Sequence, residues 1–170
     1  MGGGFIVLRL MHVSLGVFWA GGVLLMNFIV GPAIAASGPE GMKVMAELNS
    51  RRYLDIMLTA GALTILSGLD LMRRDSGGFS AAFFHSSGGI GYSTGMVFAI
   101  CAWLLGLFAL RPTINRMAGI GAQMAQAAPD GKAALMAEML RTRGRLIAFG
   151  GVGALFLLIA VMAMAVARYL

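Results

Sequence analysis

The chain of 170 residues is 59% hydrophobic and only 12% charged, with a mean hydropathy of +0.85. Soluble domains run at about 45–50% apolar and about 25% charged residues, so the composition excludes an ordinary water-soluble domain and fits a single membrane bundle. The net charge of +6 does not point to nucleic acid: the basic residues flank hydrophobic segments, where they anchor and orient helices, and no basic and aromatic platform accompanies them.

Four apolar stretches, residues 5–30, 53–72, 89–110 and 146–168, are each long enough to cross about 30 Å of hydrocarbon at about 1.5 Å per residue. Because the bilayer interior offers no water to backbone groups, the spans are expected to be helices, giving an all-α bundle of four transmembrane helices over residues 1–170. Met1-Gly-Gly-Gly lacks the positive region of a secretory signal, so the first segment is expected to be retained. The connections after spans one and three hold nine basic residues (Lys43, Arg51, Arg52, Arg111, Arg116, Lys132, Arg141, Arg143 and Arg145), whereas the other side holds four (Arg9, Arg73, Arg74 and Arg168). The positive-inside rule then puts the nine in the cytoplasm and both termini on the outer, periplasmic side.

Gly31-Pro32 reads as a helix stop, and Pro39 to Leu48 as a short helix along the inner surface. Asp75 to Gly89 combines glycine and serine with three phenylalanines, which suits either a segment dipping into the outer interface or a mobile loop. Residues 111–145 are alanine-rich with helical spacing on either side of a Pro129-Asp130-Gly131 turn, so spans three and four are expected to run past the membrane into a cytoplasmic helical hairpin. Gly91, Gly95, Ala99, Ala102 and Gly106 form one helical stripe, and Gly61, Thr64 and Gly68 another; both predict close helix contacts. Cys101, the only cysteine, allows neither an intramolecular disulfide nor a Cys-built metal site and reads as a small buried hydrophobe.

The stretch with most chemical content is in span one. His12 and Trp19, seven residues apart, share a stripe with Gly16 between them and Arg9 one turn before. An ionisable side chain within a span costs about 2.5–3.5 kcal/mol or more and has to face a partner, a cofactor or the bundle interior. On the assigned topology His12 lies about 10 Å below the outer edge, on the same side as His85 and at a depth near that of Met11, Met72, Met96, Met162 and Met164. An imidazole with a second imidazole or a thioether is a competent axial pair for haem iron, and thioethers also suit Cu(I). Arg9 could pair with a haem propionate or snorkel to the interface. Trp19 could stack on a macrocycle or fill the bundle. Asp70 is a candidate partner for Arg9 or Arg168, and Asn27 is expected to bond another helix. Paired carboxylates and Ser-His-Asp or Cys-His arrangements are absent from the spans, which argues against a hydrolase; the spacing of ionisable residues also disfavours a pump or channel.

His12, six residues, Trp19, one residue and Gly21-Gly22 resemble the first helix of the copper-resistance D-type membrane proteins and the opening helix of HemJ-type protoporphyrinogen oxidases. Arg51-Arg52 before span two, Ser67-Gly68-Leu69 near its end and Arg111-Pro112 after span three extend the likeness in outline. The resemblance implies a multi-pass protein of the bacterial inner membrane, with haem b carried by His12 or a copper-related role. The function expected is haem b binding near the outer face, with His12 as axial ligand and Arg9, Gly16 and Trp19 around the cofactor, in electron transfer or a redox reaction. The alternatives are a cofactor-free structural subunit of a larger membrane complex or homo-oligomer, and copper transport or resistance using His12 and His85 as metal ligands.

Overall fold

Four helices long and apolar enough to cross a membrane carry the fold: Gly3–Ala36, Tyr53–Asp75, Ser87–Gln126 and Asp130–Ala167. The computed structural model describes residues 2–170, apart from the side chains of Pro39 and Pro129. In chain order the helices are α1 (Gly3–Leu25), α2 (Gly31–Ala36), α3 (Gly38–Ser50), α4 (Tyr53–Asp75), α5 (Ala81–His85), α6 (Ser87–Leu105), α7 (Arg111–Gln126) and α8 (Pro129–Ala167). No strand occurs among the described residues, and the architecture is the all-α four-helix membrane bundle expected. Its outer surface is apolar: Val17, Phe28, Phe108 and Ile147 are each more than 60% exposed. In water such a belt would be an aggregation surface, whereas in lipid it is the solvated face.

The spans form a closed ring, α1 against α4, α4 against α6, α6 against α8 and α8 against α1. The α1/α4 and α6/α8 pairs are packed most extensively and the α1/α8 seam least. Small residues set both tight pairs, as their stripes predict. Along α1/α4, a side chain at Gly68 would strike the His12 ring at 2.7 Å, one at Gly16 would touch the Thr64 methyl at 3.4 Å, and one at Gly61 would strike Trp19 at 2.7 Å. Along α6/α8, Gly91 lies against Ala167 and Gly95 against Met164 and the Ala160 carbonyl. Between the pairs, Trp19, Met57, Ala60, Ala99, Ala102, Leu157 and Ala160 form the buried centre. Side chains lock the helices through backbone carbonyls. The Tyr53 hydroxyl donates to the Gly22 carbonyl at 2.8 Å, tying α4 to α1, and the Trp103 indole N–H donates to the Leu58 carbonyl at 2.8 Å, tying α6 to α4.

Two expectations about the helices are corrected. Gly31-Pro32 does not end the first helix. The turn Met26–Val30 widens to a π-turn, in which the Gly31 N–H reaches the Met26 carbonyl, and α2 continues to Ala36. Proline has no N–H and its ring crowds the carbonyl four residues back; widening the preceding turn relieves the clash without ending the helix. The same device recurs before Pro112, where Gly106–Leu110 is a π-turn and the Arg111 N–H reaches the Gly106 carbonyl. The actual stop comes at Ser37-Gly38, where Gly38 adopts φ +55°, so the first helix outruns the expected end at residue 30. Second, Pro129-Asp130-Gly131 is not the hairpin turn. The chain breaks one step earlier, at extended Ala127 and Ala128, and Pro129 and Asp130 open α8. Proline in the first turn and an acidic residue beside the helix N-terminus are start signals. As expected, span four runs on past the membrane: α8 is one continuous helix of 39 residues. At roughly 58 Å it extends well past the hydrocarbon thickness. The hairpin itself is present: α7 packs on the first half of α8 and Arg116 pairs with Glu138.

Candidate functional site

All four spans contribute to one cavity of about 480 Å³ at the end of the bundle that carries the chain termini. From α1 it takes Phe5, Arg9, His12, Val13, Gly16, Val17, Trp19 and Ala20; from α4, Thr64, Gly68, Leu71, Met72 and Asp75. The facing wall is Tyr92, Met96 and Ala99 of α6 with Leu157, Ala160, Val161, Met164, Ala165 and Arg168 of α8, and Phe83 of α5 reaches in from the connection. The size falls within the range of about 300–1,000 Å³ usual for small-molecule and cofactor sites, and the lining is mostly apolar with a few polar groups, as such sites require. The loosely packed α1/α8 seam borders it, with Val13, Val17 and Val161 at least half exposed along that seam. The seam is closed further along by Asn27, whose side-chain oxygen abuts Gly150. Asn27 does not bond another helix as expected; its amide donates back to the Val23 carbonyl at 3.0 Å, one turn earlier on its own helix.

His12 is held by α4. Its Nδ1 lies 2.9 Å from the Thr64 carbonyl and 3.3 Å from the Ser67 hydroxyl. A carbonyl only accepts, so in the neutral ring the proton sits on Nδ1 and Nε2 carries the free lone pair. Gly68 makes this approach possible, because the Cε1 and Nδ1 edge of the ring occupies the space its missing side chain would fill. Nε2 has no hydrogen-bond partner among the described residues. It is also not enclosed by protein, since Ser93 Oγ is the one buried, unpartnered side-chain polar atom among the described residues. A lone-pair nitrogen with its sister nitrogen anchored on a backbone carbonyl is how metal-ligating histidines are oriented.

Of the other residues singled out from sequence, Gly16 and Trp19 border the cavity but are chiefly packing groups. Gly16 admits the Thr64 methyl, and Trp19, 4% exposed, covers Gly61 together with Trp103. Arg9 is exposed at the mouth. His85 is not brought to the site: it is exposed at the end of α5 and does not line the cavity. No group of three His, Cys, Asp or Glu side chains that could hold a metal occurs among the described residues. Haem does not require such a group, since its macrocycle supplies four of the donors and the protein one or two axial ligands.

Asp70 bonds neither Arg9 nor Arg168. It is engaged by Arg73 at 2.8 Å and Arg74 at 2.9 Å, three and four residues on along the same helix. That local pairing was readable from the spacing. Its consequence is that Arg9 and Arg168 both border the cavity with no carboxylate or side-chain hydrogen-bond partner among the described residues. Phe83 was the other unforeseen wall. In the turn before it Gly77, Gly78 and Phe79 all adopt positive φ, and Phe84 makes an edge contact with Phe83 at 5.6 Å.

Together these features describe a multi-pass helical membrane protein with a cavity, lined by all four spans, that bears an oriented histidine. No family model, curated protein or solved structure matches the chain.

Proposed function

We propose that this protein binds haem b in the cavity, with His12 as axial ligand through Nε2, and serves electron transfer or a redox reaction. The observation that carries this is the His12 geometry: Nδ1 fixed on the Thr64 carbonyl at 2.9 Å and Nε2 free beside an apolar chamber lined by all four spans. The residues present fit the group. An imidazole lone pair suits the iron, the thioethers of Met72, Met96 and Met164 border the same space, and aromatic and aliphatic side chains supply the walls. Bound haem would supply one-electron chemistry. The chain's own part is to fix the imidazole's orientation through Thr64 and Ser67 and to keep bulk water away with Trp19, Leu157 and Phe83. The likeness of the His12-to-Trp19 run to HemJ-type and copper-resistance D-type proteins supports the same reading. The distribution of basic residues, nine against four, supports an orientation with the termini and cavity on the outer side, and the same likeness supports a bacterial inner-membrane location.

Chemical rescue tests the assignment. His12→Gly should abolish the Soret band, and added imidazole, which fits the space the side chain leaves, should restore it. A variant that retains the wild-type spectrum without imidazole refutes His12 as ligand. Metal analysis of the same preparation separates haem from copper, which would leave stoichiometric Cu and no Soret absorbance. A second reading, a cofactor-free subunit docking on a larger membrane complex, draws on the exposure of α1: only 11% of the most apolar window of its span is buried within the chain.

A further inference from the structure

Arg9 and Arg168 reach the same mouth from opposite sides of the α1/α8 seam. Arg9 stands one turn beyond His12 on α1, and Arg168, at the C-terminal end of α8, stands one turn beyond Met164. Two of the three carboxylates of α4 are engaged by other arginines. Asp70 is taken by Arg73 and Arg74, and Asp55 by Arg111 at 3.0 Å with Arg52 alongside. Among the described residues the only side-chain carboxylate bordering the cavity is Asp75, which is exposed and in no ion pair, so the mouth carries two cations against one anion. Two guanidinium groups above an apolar chamber match a ligand with an apolar body and acid groups at one end, and each guanidinium can hold a carboxylate by two parallel hydrogen bonds.

We propose that Arg9 and Arg168 are a two-cation clamp that selects a macrocycle bearing free carboxylates and orients it with its acid groups toward the chain termini. This rests on the reading of the cavity as a haem site. It adds the residue Arg168 and a criterion of selectivity that axial ligation alone does not give, because Nε2 binds iron irrespective of the ring's side chains. The exposed, loosely packed seam between Val13 and Val17 on one side and Val161 on the other then lets the ligand enter from the membrane leaflet on the terminal side.

The experiment titrates the detergent-purified full chain, freed of bound pigment, with haem and with its dimethyl ester, following the Soret shift. The wild type should hold the free acid at least tenfold more tightly than the ester. Arg9→Gln and Arg168→Gln should each lose about tenfold for the acid, the effect of one charge-assisted hydrogen bond, and leave ester binding unchanged. Arg9→Lys with Arg168→Lys should retain most of the preference, and Asp75→Asn should raise it. Equal binding of acid and ester by the wild type, or a preference that survives the double glutamine variant, overturns the clamp while leaving the haem reading intact. Failure to bind either macrocycle overturns both. An anionic lipid headgroup carries similar charge, so the titration is repeated in phosphatidylglycerol and in phosphatidylcholine vesicles. A preference present in both supports the clamp, and one that vanishes in phosphatidylglycerol assigns the arginines to lipid and overturns it.

Discussion

Gly68→Ala is the sharpest test of how α1 and α4 build the site. A methyl at this position would stand 2.7 Å from His12 Cε1, 3.2 Å from His12 Nδ1 and 3.2 Å from the Met96 methyl. Carbon atoms rest at about 3.5–4.0 Å, so the imidazole has to retreat by roughly 1 Å. That displacement carries Nδ1 beyond hydrogen-bonding reach of the Thr64 carbonyl, now 2.9 Å away. Losing such a bond within a membrane costs about 0.6–2 kcal/mol, and the overpacking adds about 1–3 kcal/mol. Alanine's better helix propensity returns about 1 kcal/mol, leaving a net loss of about 1–4 kcal/mol. Thermal or denaturant unfolding in detergent measures it, with Gly119→Ala as control, since a methyl there meets nothing within 4 Å. The control should be neutral or slightly stabilising. In a His12→Ala background the same Gly68→Ala change should cost much less, because the clashing ring is gone and only the flexible Met96 end remains. A Gly68→Ala protein as stable as wild type, or a cost unchanged in the His12→Ala background, refutes the packing argument.

The remaining predictions follow from the same contacts. Gly95→Ala should cost at least as much as Gly68→Ala, because the added methyl meets the Ala160 backbone carbonyl at 3.0 Å as well as Met164, and backbone yields less than a side chain. Unfolding in detergent measures it directly. Trp103→Phe removes the indole donor to the Leu58 carbonyl and should destabilise by about 1 kcal/mol or somewhat more, whereas Tyr53→Phe should cost about 1 kcal/mol through the bond to Gly22. Arg116→Ala breaks an exposed pair with Glu138 at the hairpin and should change stability by no more than about 1 kcal/mol. A larger loss there would mean the hairpin contributes more to folding than its exposure suggests.

What could be read from the sequence was whatever depends on local pattern. Hydropathy located the four spans, and the glycine and alanine stripes marked the touching faces of spans two and three, though not which helices they meet. Gly31-Pro32 misled because proline's usual reading is a break, and nothing local shows that a π-turn will absorb it. The site was legible only in part. His12 stood out as ionisable within an apolar run, but its partner is a backbone carbonyl 52 residues away, which no side-chain pattern encodes. Trp19 and Gly16 were rightly placed on the His12 stripe, and the structure shows that this stripe also packs against α4. Arg168 escaped notice because Asp70 was offered to it as a partner, although Arg73 and Arg74 at three- and four-residue spacing hold that carboxylate more directly.

The absorption spectrum of the detergent-purified protein from haem-replete cells decides whether His12 and the cavity hold haem. The expected result is a Soret band at near one haem per chain that is lost in His12→Ala while the helical far-ultraviolet signal persists. A folded, colourless wild-type protein that also fails to take up added haem would contradict it.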